Sequence, residues 1–133
     1  MRRIISGLAL AAALAVTGCA ARGLKPDAES ALRERVEQYH DFISLRDYDA
    51  AALLVADQYR QDFLVVTKPM QRGYTLESYA VVKVEMNSSG DQAAVAVSRS
   101  FIPSASVTLQ SQEYVQRWVL GADGAWYLAG PPY

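Results

Sequence analysis

Few side chains in this sequence have the type and spacing that acid–base chemistry requires. His40 is the only histidine and is followed by Asp41, but adjacent residues on a helix point about 100° apart and cannot bond to each other. His40 lies at the edge of an apolar helical stripe, which predicts a partly exposed side chain. Glu85 and Glu113 lie within predicted strands, and we expect Glu85 to be solvated beside Lys83. Acid–base catalysis needs two titratable groups in one dry pocket, so this pattern predicts no catalytic residues.

The sequence also predicts no metal site, cofactor site or activated nucleophile. Asp47 and Asp49 are explained by helix capping, and no third ligand follows them at a useful spacing. One histidine and one cysteine without clustered acids do not form a zinc site. No glycine-rich phosphate loop occurs, and Ser44, Ser78 and Ser98 lie in no nucleophile motif.

The composition indicates one small, mildly acidic domain. The chain has 133 residues, of which 51% are hydrophobic, and a formal net charge of −1. If the first 18 residues are removed as a leader, Arg2 and Arg3 are lost and 11 basic residues remain against 14 acidic ones. That balance argues against nucleic-acid binding and against electrostatic attraction to anionic lipid. The remaining length suffices for one domain with one core.

The leader carries the most specific motif of the chain. A basic head at Arg2 and Arg3 precedes an apolar run too short to remain as a membrane-spanning helix, and the run ends in Val16-Thr-Gly-Cys19. This tetrapeptide resembles the lipobox of bacterial lipoproteins. The resemblance implies a signal peptide over residues 1–18 and lipidation of Cys19 with a diacylglyceryl group and palmitate-like acyl chains. An ordinary secretory leader is the alternative, but it leaves Cys19, the only cysteine, unexplained.

The same resemblance implies a location. Residues 19–26 would form a short lipidated tether that keeps the domain close to the membrane, since more than one acyl chain gives stable anchoring. An aspartate after the lipidated cysteine favours inner-membrane retention in enteric-type bacteria, whereas this chain has Ala20. We therefore expect an outer-membrane lipoprotein that faces the periplasm.

Beyond the tether, the hydrophobic pattern predicts two or three helices. Asp27 is the expected cap of a first helix, whose apolar stripe runs over residues 32–45 with spacings of three and four. Asp47 is expected to cap a second helix through residues 50–56. Residues 58–66 fit either a third short helix or a strand, and the pattern does not decide between them.

The second half of the chain predicts antiparallel strands. Side chains alternate over residues 75–86 and again over 92–102, and a turn at 87–91 joins the two strands. A long hairpin follows over residues 107–128. Helices first and strands in meander order predict an α+β fold, with N-terminal helices packed on one face of a curved antiparallel sheet.

The final hairpin has a predicted register. Its turn is Gly121-Ala-Asp-Gly124, and pairing Leu120 with Ala125 would place Val119 and Trp126 on one face and Trp118 and Tyr127 on the other. Both faces would then carry large apolar groups. The pattern therefore predicts a central sheet element that is covered on both sides.

Two stretches of the sequence resemble the NTF2-like superfamily, which includes nuclear transport factor 2, ketosteroid isomerase and SnoaL-like proteins. Residues 36–54 (VEQYHDFISLRDYDAAALL) resemble the family's first helix, turn and second helix, and residues 117–128 (RWVLGADGAWYL) resemble its last hairpin. The resemblance implies a cone-shaped domain over residues 27–133, with a pocket between the first helix and the concave face of the sheet.

The resemblance also implies candidate pocket residues. The pocket would be lined by aromatic side chains: Tyr39, Phe42, Tyr59 and one of Trp118 and Trp126. Tyr39 matches the position of the oxyanion-stabilising tyrosine of ketosteroid isomerase relatives, but that chemistry needs two further acids that this chain does not offer. We therefore expect Tyr39 to fill the core, and a buried Glu113 beside it would reverse that expectation.

These observations favour a non-catalytic envelope lipoprotein that binds a protein partner or an apolar small ligand near the membrane. No cofactor and no nucleic acid are expected. An isomerase or dehydratase of the ketosteroid-isomerase-like group, using Tyr39, is one alternative. Another is an envelope-assembly lipoprotein of helix-helix-strand-strand-strand type, although the Gly-Met-Thr and Gly-x-Pro signatures of that group are absent from this sequence.

Overall fold

The computed structural model describes residues 27–72, 74–103 and 105–131. Three helices and a 3-10 turn precede four strands: α1 Ala28–Ser44, α2 Tyr48–Ala52, α3 Asp57–Thr67, the 3-10 helix Lys68–Arg72, β1 Tyr74–Met86, β2 Gln92–Pro103, β3 Gln110–Leu120 and β4 Trp126–Leu128. None of the helices within these ranges is long and apolar enough to span a bilayer. The predicted leader, the tether and Cys19 lie outside the described residues.

Helix α1 begins where its sequence predicts, but its buried stripe ends before Leu45, which is exposed. The Asp27 side chain accepts a hydrogen bond from the Ser30 backbone N–H at 2.7 Å, which confirms Asp27 as the cap. That bond lowers the pKa of the Asp27 carboxyl. The buried face of the helix consists of Leu32, Val36, Tyr39, His40 and Ile43. This face covers the concave side of the sheet.

The region after α1 resolves the open choice between helix and strand. Residues 57–67 form α3, and Phe63 on its inner side is buried. Helix α2 is capped by Asp47, as expected, but it ends at Ala52 rather than extending to residue 56. The predicted second helix was too long because Val55 is extended and pairs with Leu128 in a parallel bridge. The backbone there is bonded to the sheet edge instead of to a further helical turn.

The four strands form one antiparallel sheet in the order β1-β2-β3-β4. Along β2, buried and half-buried side chains alternate, so one face packs on the helices. The pairing of β1 with β2 is interrupted between Leu76 and Ser78 and between Val81 and Lys83. Such bulges bend a strand and increase its twist. The predicted α+β architecture with a curved antiparallel sheet is confirmed.

The register of the last hairpin differs from the prediction by one residue. Leu120 pairs with Trp126, not with Ala125, and Trp118 pairs with Leu128. The Gly121 backbone N–H donates to the Ala125 oxygen at 2.7 Å, which adds Ala125 to the loop. Because a slip of one residue exchanges the faces of a strand, Trp118 and Trp126 lie on the same face, and both are buried.

The expectation of a central hairpin covered on both sides is therefore wrong. Strand β4 is the last strand in the sheet order. The concave face holds the two tryptophans and Leu128, whereas Val119 and Tyr127 on the outer face are half-buried. The hairpin thus closes one end of the core and leaves its other side open to solvent.

Candidate functional site

Tyr39 lies in a closed group of rings between α1, α3 and the sheet. Its ring contacts the rings of His40, Phe63 and Trp118 in edge-on geometry, with centroid distances of 5.1, 6.2 and 5.8 Å. Edge-to-face pairs at such distances are favourable beyond the burial of their area. We call Tyr39, Phe63 and Trp118 the aromatic cluster. All three of its side chains are buried.

The structure separates the other predicted pocket residues. Phe42 is half-buried against the core. Tyr59 lines an apolar groove of about 190 Å³ beside Gly130 and Pro131. Trp126 borders a different groove, of about 220 Å³, next to Arg35 of α1. Of the five predicted pocket residues, only Tyr39 and Trp118 are in ring contact with each other among the contacts described. That these residues bind a ligand stays a prediction.

His40 is buried, which corrects the prediction that it is partly exposed. Only 2% of it is accessible, and its ring stacks on that of Tyr79 with centroids 4.5 Å apart. Burial lowers the pKa of His40 to about 4, so the ring is neutral at pH 7. The Gln116 side chain is the hydrogen-bonding neighbour of the imidazole and partly offsets the effect of burial on the His40 pKa, although the His40 Nε2 atom makes no well-formed hydrogen bond among the described residues.

Gln116 is the polar neighbour of His40 on the sheet. Its side chain is buried on β3, where its Oε1 accepts a hydrogen bond from Trp118 Nε1 at 3.2 Å. That bond fixes which end of the amide faces the tryptophan. The Nε2 atom is buried and makes no hydrogen bond within the described part of the chain.

Arg99 completes the polar group on the concave face. It lies on the buried side of β2 and donates to Gln112 Oε1 from Nη2 at 2.8 Å. Its guanidinium carbon lies 4.5 Å from the centre of the Phe101 ring and 5.7 Å from that of Tyr114, within the range of cation–π attraction. We call His40, Tyr79, Arg99 and Gln116 the polar cluster. The concave face is thus apolar near β4 and polar towards the start of β3.

Tyr79 lies at the exposed rim of the polar cluster. Its hydroxyl is 3.3 Å from the Glu37 backbone oxygen and 3.3 Å from Asp41 Oδ1. Burial, followed by the Asp41 charge, raises the pKa of Tyr79 to about 12, so the hydroxyl keeps its proton at neutral pH. The hydroxyl donates that proton to these two oxygens of α1, and this contact ties β1 to the helix beside a neutral imidazole.

Glu113 and Glu85, the acids that could have supported catalysis, are exposed and do not lie beside Tyr39. Glu113 is exposed and pairs in register with Ser98 on the outer face of the sheet. Glu85 forms an ion pair with Lys83, which lowers the pKa of the glutamate. This ion pair and the exposure of Glu85 match the prediction. No group of three or more potential metal ligands occurs in the described ranges.

Sequence reasoning missed the polar cluster for two reasons. His40 is four residues after Val36 and three before Ile43, so the helical period already placed it on the buried stripe. The burial of His40 could therefore have been predicted from this spacing. The approach of Arg99 and Gln116 depends on strand register across β2 and β3, which the sequence does not reveal.

No protein-family model matches the chain, and no curated protein matches it. Solved structures do match. A ketosteroid isomerase-like protein from Erwinia carotovora atroseptica aligns with a TM-score of 0.64 at 12% identity, covering 80% of this chain and 97% of the other. The fold is NTF2-like.

Two further structures share this NTF2-like fold. A conserved protein from Planctomyces limnophilus aligns with a TM-score of 0.60 at 13% identity, over 77% of this chain and 94% of the other. An LEH-like epoxide hydrolase from M. tuberculosis aligns with a TM-score of 0.56 at 12% identity, over 79% and 81%. At this identity the likeness establishes the fold, and one fold hosts many unrelated functions.

Proposed function

We propose that the chain is a non-catalytic lipoprotein of the bacterial outer membrane, anchored through Cys19 and facing the periplasm, whose NTF2-like domain binds a protein partner near the membrane. The observation that supports this most is the enclosure of Tyr39 by Phe63 and Trp118. Two of the rings that were expected to line a pocket, Tyr39 and Trp118, pack against each other instead. An apolar small ligand would have to displace them, so recognition falls to the domain surface.

The distribution of charge supports binding over catalysis. Chemistry of the ketosteroid isomerase type depends on carboxyl groups held in a dry site. No aspartate or glutamate is buried among the side chains that the structure describes. Asp41, the acid that contacts the polar cluster, is itself exposed. Its carboxylate therefore does not lie in the dry pocket that acid–base catalysis needs.

The proposed lipid anchor is inferred from the sequence alone, because residues 1–26 lie outside the described ranges. The Val16-Thr-Gly-Cys19 motif supports lipidation, and Ala20 supports sorting to the outer membrane. Helix α1 begins at Ala28, directly after its cap. A tether of residues 19–26 would thus hold the domain within a short distance of the bilayer, which suits a partner in or on the membrane.

The native chain is expected to carry lipid on Cys19. Mass spectrometry of the protein purified from its own membranes should show an N-terminal peptide that begins at Cys19 and carries a diacylglyceryl group. Cys19→Ser should release the chain from the membrane fraction, while its thermal unfolding temperature should stay unchanged because the buried core of the described domain is built from Leu32 onward. A soluble, unmodified chain that begins after Cys19 would contradict the anchor.

Binding is tested by cross-linking in intact cells. The native chain should yield one discrete adduct with another envelope protein after brief treatment with an amine-reactive cross-linker. Cys19→Ser is the matched control, since it keeps the domain and removes the anchor. Loss of the adduct in that variant supports binding near the membrane, whereas equal adducts in both forms, or none in either, would contradict the proposal.

Proton-transfer chemistry is the second candidate, favoured by the buried, neutral His40 ring that stacks on the ring of Tyr79. A neutral imidazole and a protonated phenol are the groups that would act on an enolisable ketone. Isomerase activity that falls about 100-fold in both His40→Gln and Tyr79→Phe, but not in Glu113→Gln, would favour this candidate. Absence of turnover, or turnover insensitive to both changes, would dismiss it.

A further inference from the structure

A groove runs along one side of α3. The helical side chains that line it recur at spacings of three and four, so they lie on one face of the helix: Tyr59, Asp62, Phe63 and Val66. Gly130 and Pro131 form its other wall, and the enclosed space is about 190 Å³. Phe63 is buried at the floor of the groove, whereas Val66 is 49% exposed. We call these six residues the α3 groove.

The α3 groove has the size and chemistry of a site for one aromatic side chain. Pockets for drug-sized ligands usually enclose roughly 300–1,000 Å³, which is more than the groove offers. Phe63, Val66 and Pro131 give it apolar walls, and the exposed Asp62 places a hydrogen-bond acceptor at its rim. A tyrosine side chain combines an apolar ring with a hydroxyl that donates a hydrogen bond. Tyrosine therefore matches both features of the groove.

The sequence places a tyrosine within reach of the α3 groove. Pro132 and Tyr133 follow Pro131 directly, and they lie outside the described residues. Consecutive Cα atoms are about 3.8 Å apart, so the Cα atom of Tyr133 lies within about 8 Å of that of Pro131. Because Pro131 belongs to the groove wall, this distance allows the Tyr133 ring to enter the groove. The candidate occupant is thus part of the same chain.

The segment that leads to Tyr133 has little conformational freedom. The Ala129 backbone N–H donates to the Arg117 oxygen at 2.8 Å, which holds the segment on β3. Gly130 has a φ of 153°, a conformation that favours glycine. The two prolines that follow have φ fixed near −65°, and Pro132 also keeps Pro131 out of the helical region. Docking of Tyr133 would therefore cost little backbone entropy.

We propose that Tyr133 docks in the α3 groove of its own chain, with its ring against Phe63 and Val66 and its hydroxyl donating to Asp62. Phe63 connects the groove to the aromatic cluster, since its ring contacts that of Tyr39 with 6.2 Å between the centroids. The docked ring holds Phe63 in place from outside the cluster. Release of Tyr133 loosens the contact that closes the space beside Tyr39. This device is independent of the proposed lipid anchor.

Nuclear Overhauser contacts in the intact chain test the docking. The Tyr133 ring protons should contact the Val66 methyl groups, and Tyr133→Ala, which assigns the ring signals, should abolish those contacts. Val65 is the matched control, because it is the next residue on α3, is 63% exposed and points about 100° away. It should show no contact with Tyr133. Missing Val66 contacts would overturn the proposal, as would contacts seen only between differently labelled copies of the chain.

Amide exchange of Phe63 tests the effect of docking on α3. Tyr133→Ala should speed this exchange about 10-fold, whereas Val107→Ala, at a loop residue that is 98% exposed, should leave it unchanged. Circular dichroism confirms that each variant is folded. Exchange that is unchanged in Tyr133→Ala would overturn the proposed hold on Phe63.

A double-variant cycle tests the hydrogen bond between the Tyr133 hydroxyl and Asp62. Tyr133→Phe and Asp62→Ala should each speed the exchange of the Phe63 amide about fivefold, because each removes one partner of the bond. The double variant should exchange no faster than the faster single variant. Effects that multiply in the double variant would overturn the contact between the hydroxyl and Asp62.

Discussion

Trp118→Ala is expected to lower the free energy of unfolding by about 3–5 kcal/mol, in the range of large-to-small changes in a rigid core. Trp118 is fully buried and contacts the Tyr39 ring. Its removal would open a cavity in the aromatic cluster and would leave Gln116 Oε1 without its donor. Such a loss is a large part of the stability of an ordinary domain. Urea denaturation followed by far-UV circular dichroism measures it.

Trp126→Ala is the companion variant and is expected to have an effect of similar size. The predicted register had put the two rings on opposite faces, which implied unequal effects, but the structure buries both on the concave face. Val115→Ala is the control on the same strand as Trp118, since Val115 is exposed, and it should stay within about 0.5 kcal/mol. A small loss for either tryptophan variant would show that the hairpin does not close the core.

Acidification is expected to destabilise the domain through His40. The pKa of His40 is about 4 in the folded chain, against an ordinary value of 6.5. The unfolded chain therefore takes up a proton first as the pH falls. The contribution of His40 is fully present above pH 6.5 and is lost between pH 6.5 and 4, where the loss reaches roughly 3 kcal/mol.

The pH window distinguishes His40 from the carboxyl groups. Asp27, Glu85 and Asp123 have lowered pKa values, so their contributions are lost only below the ordinary values of 3.8 and 4.5. Urea denaturation at pH 7.5, 6.0 and 5.0 isolates the histidine, which is the only one in the chain. His40→Gln should flatten the slope over that interval. An unchanged slope in the variant would contradict the burial of a neutral His40.

The helical half of the fold was predictable because its signals are local. The caps at Asp27 and Asp47 and the apolar stripe on α1 depend on residues within one or two turns of each other. The choice between helix and strand at residues 58–66 was not local. In the folded chain, Phe63 of α3 packs on Tyr39 of α1, a contact between two helices that the local pattern does not contain. Tertiary packing overrides propensity in such segments.

The order of the strands in the sheet was predictable from the sequence, but the register of their pairing was not. The turn Gly121-Ala-Asp-Gly124 fits several loop lengths, and one hydrogen bond from Gly121 to Ala125 decides between them. That bond determines the face on which Trp118 and Trp126 lie. The polar cluster was hidden for the same reason, because Arg99 and Gln116 come together through the pairing of β2 with β3. A one-residue difference in pairing changes every such contact.

Hydrogen exchange of the Trp118 indole proton tests the proposed closure of the concave face most directly. The Trp118 indole N–H belongs to the aromatic cluster and donates a hydrogen bond to Oε1 of Gln116 in the polar cluster. If the cluster is closed, the proton exchanges only when the whole domain unfolds, and its protection matches the free energy of unfolding from denaturation. Nuclear magnetic resonance at pH 7 follows it, and Trp126→Phe assigns the signal. Exchange within minutes in a domain that is otherwise stable would show an open pocket beside Tyr39 and would contradict a binding role confined to the surface.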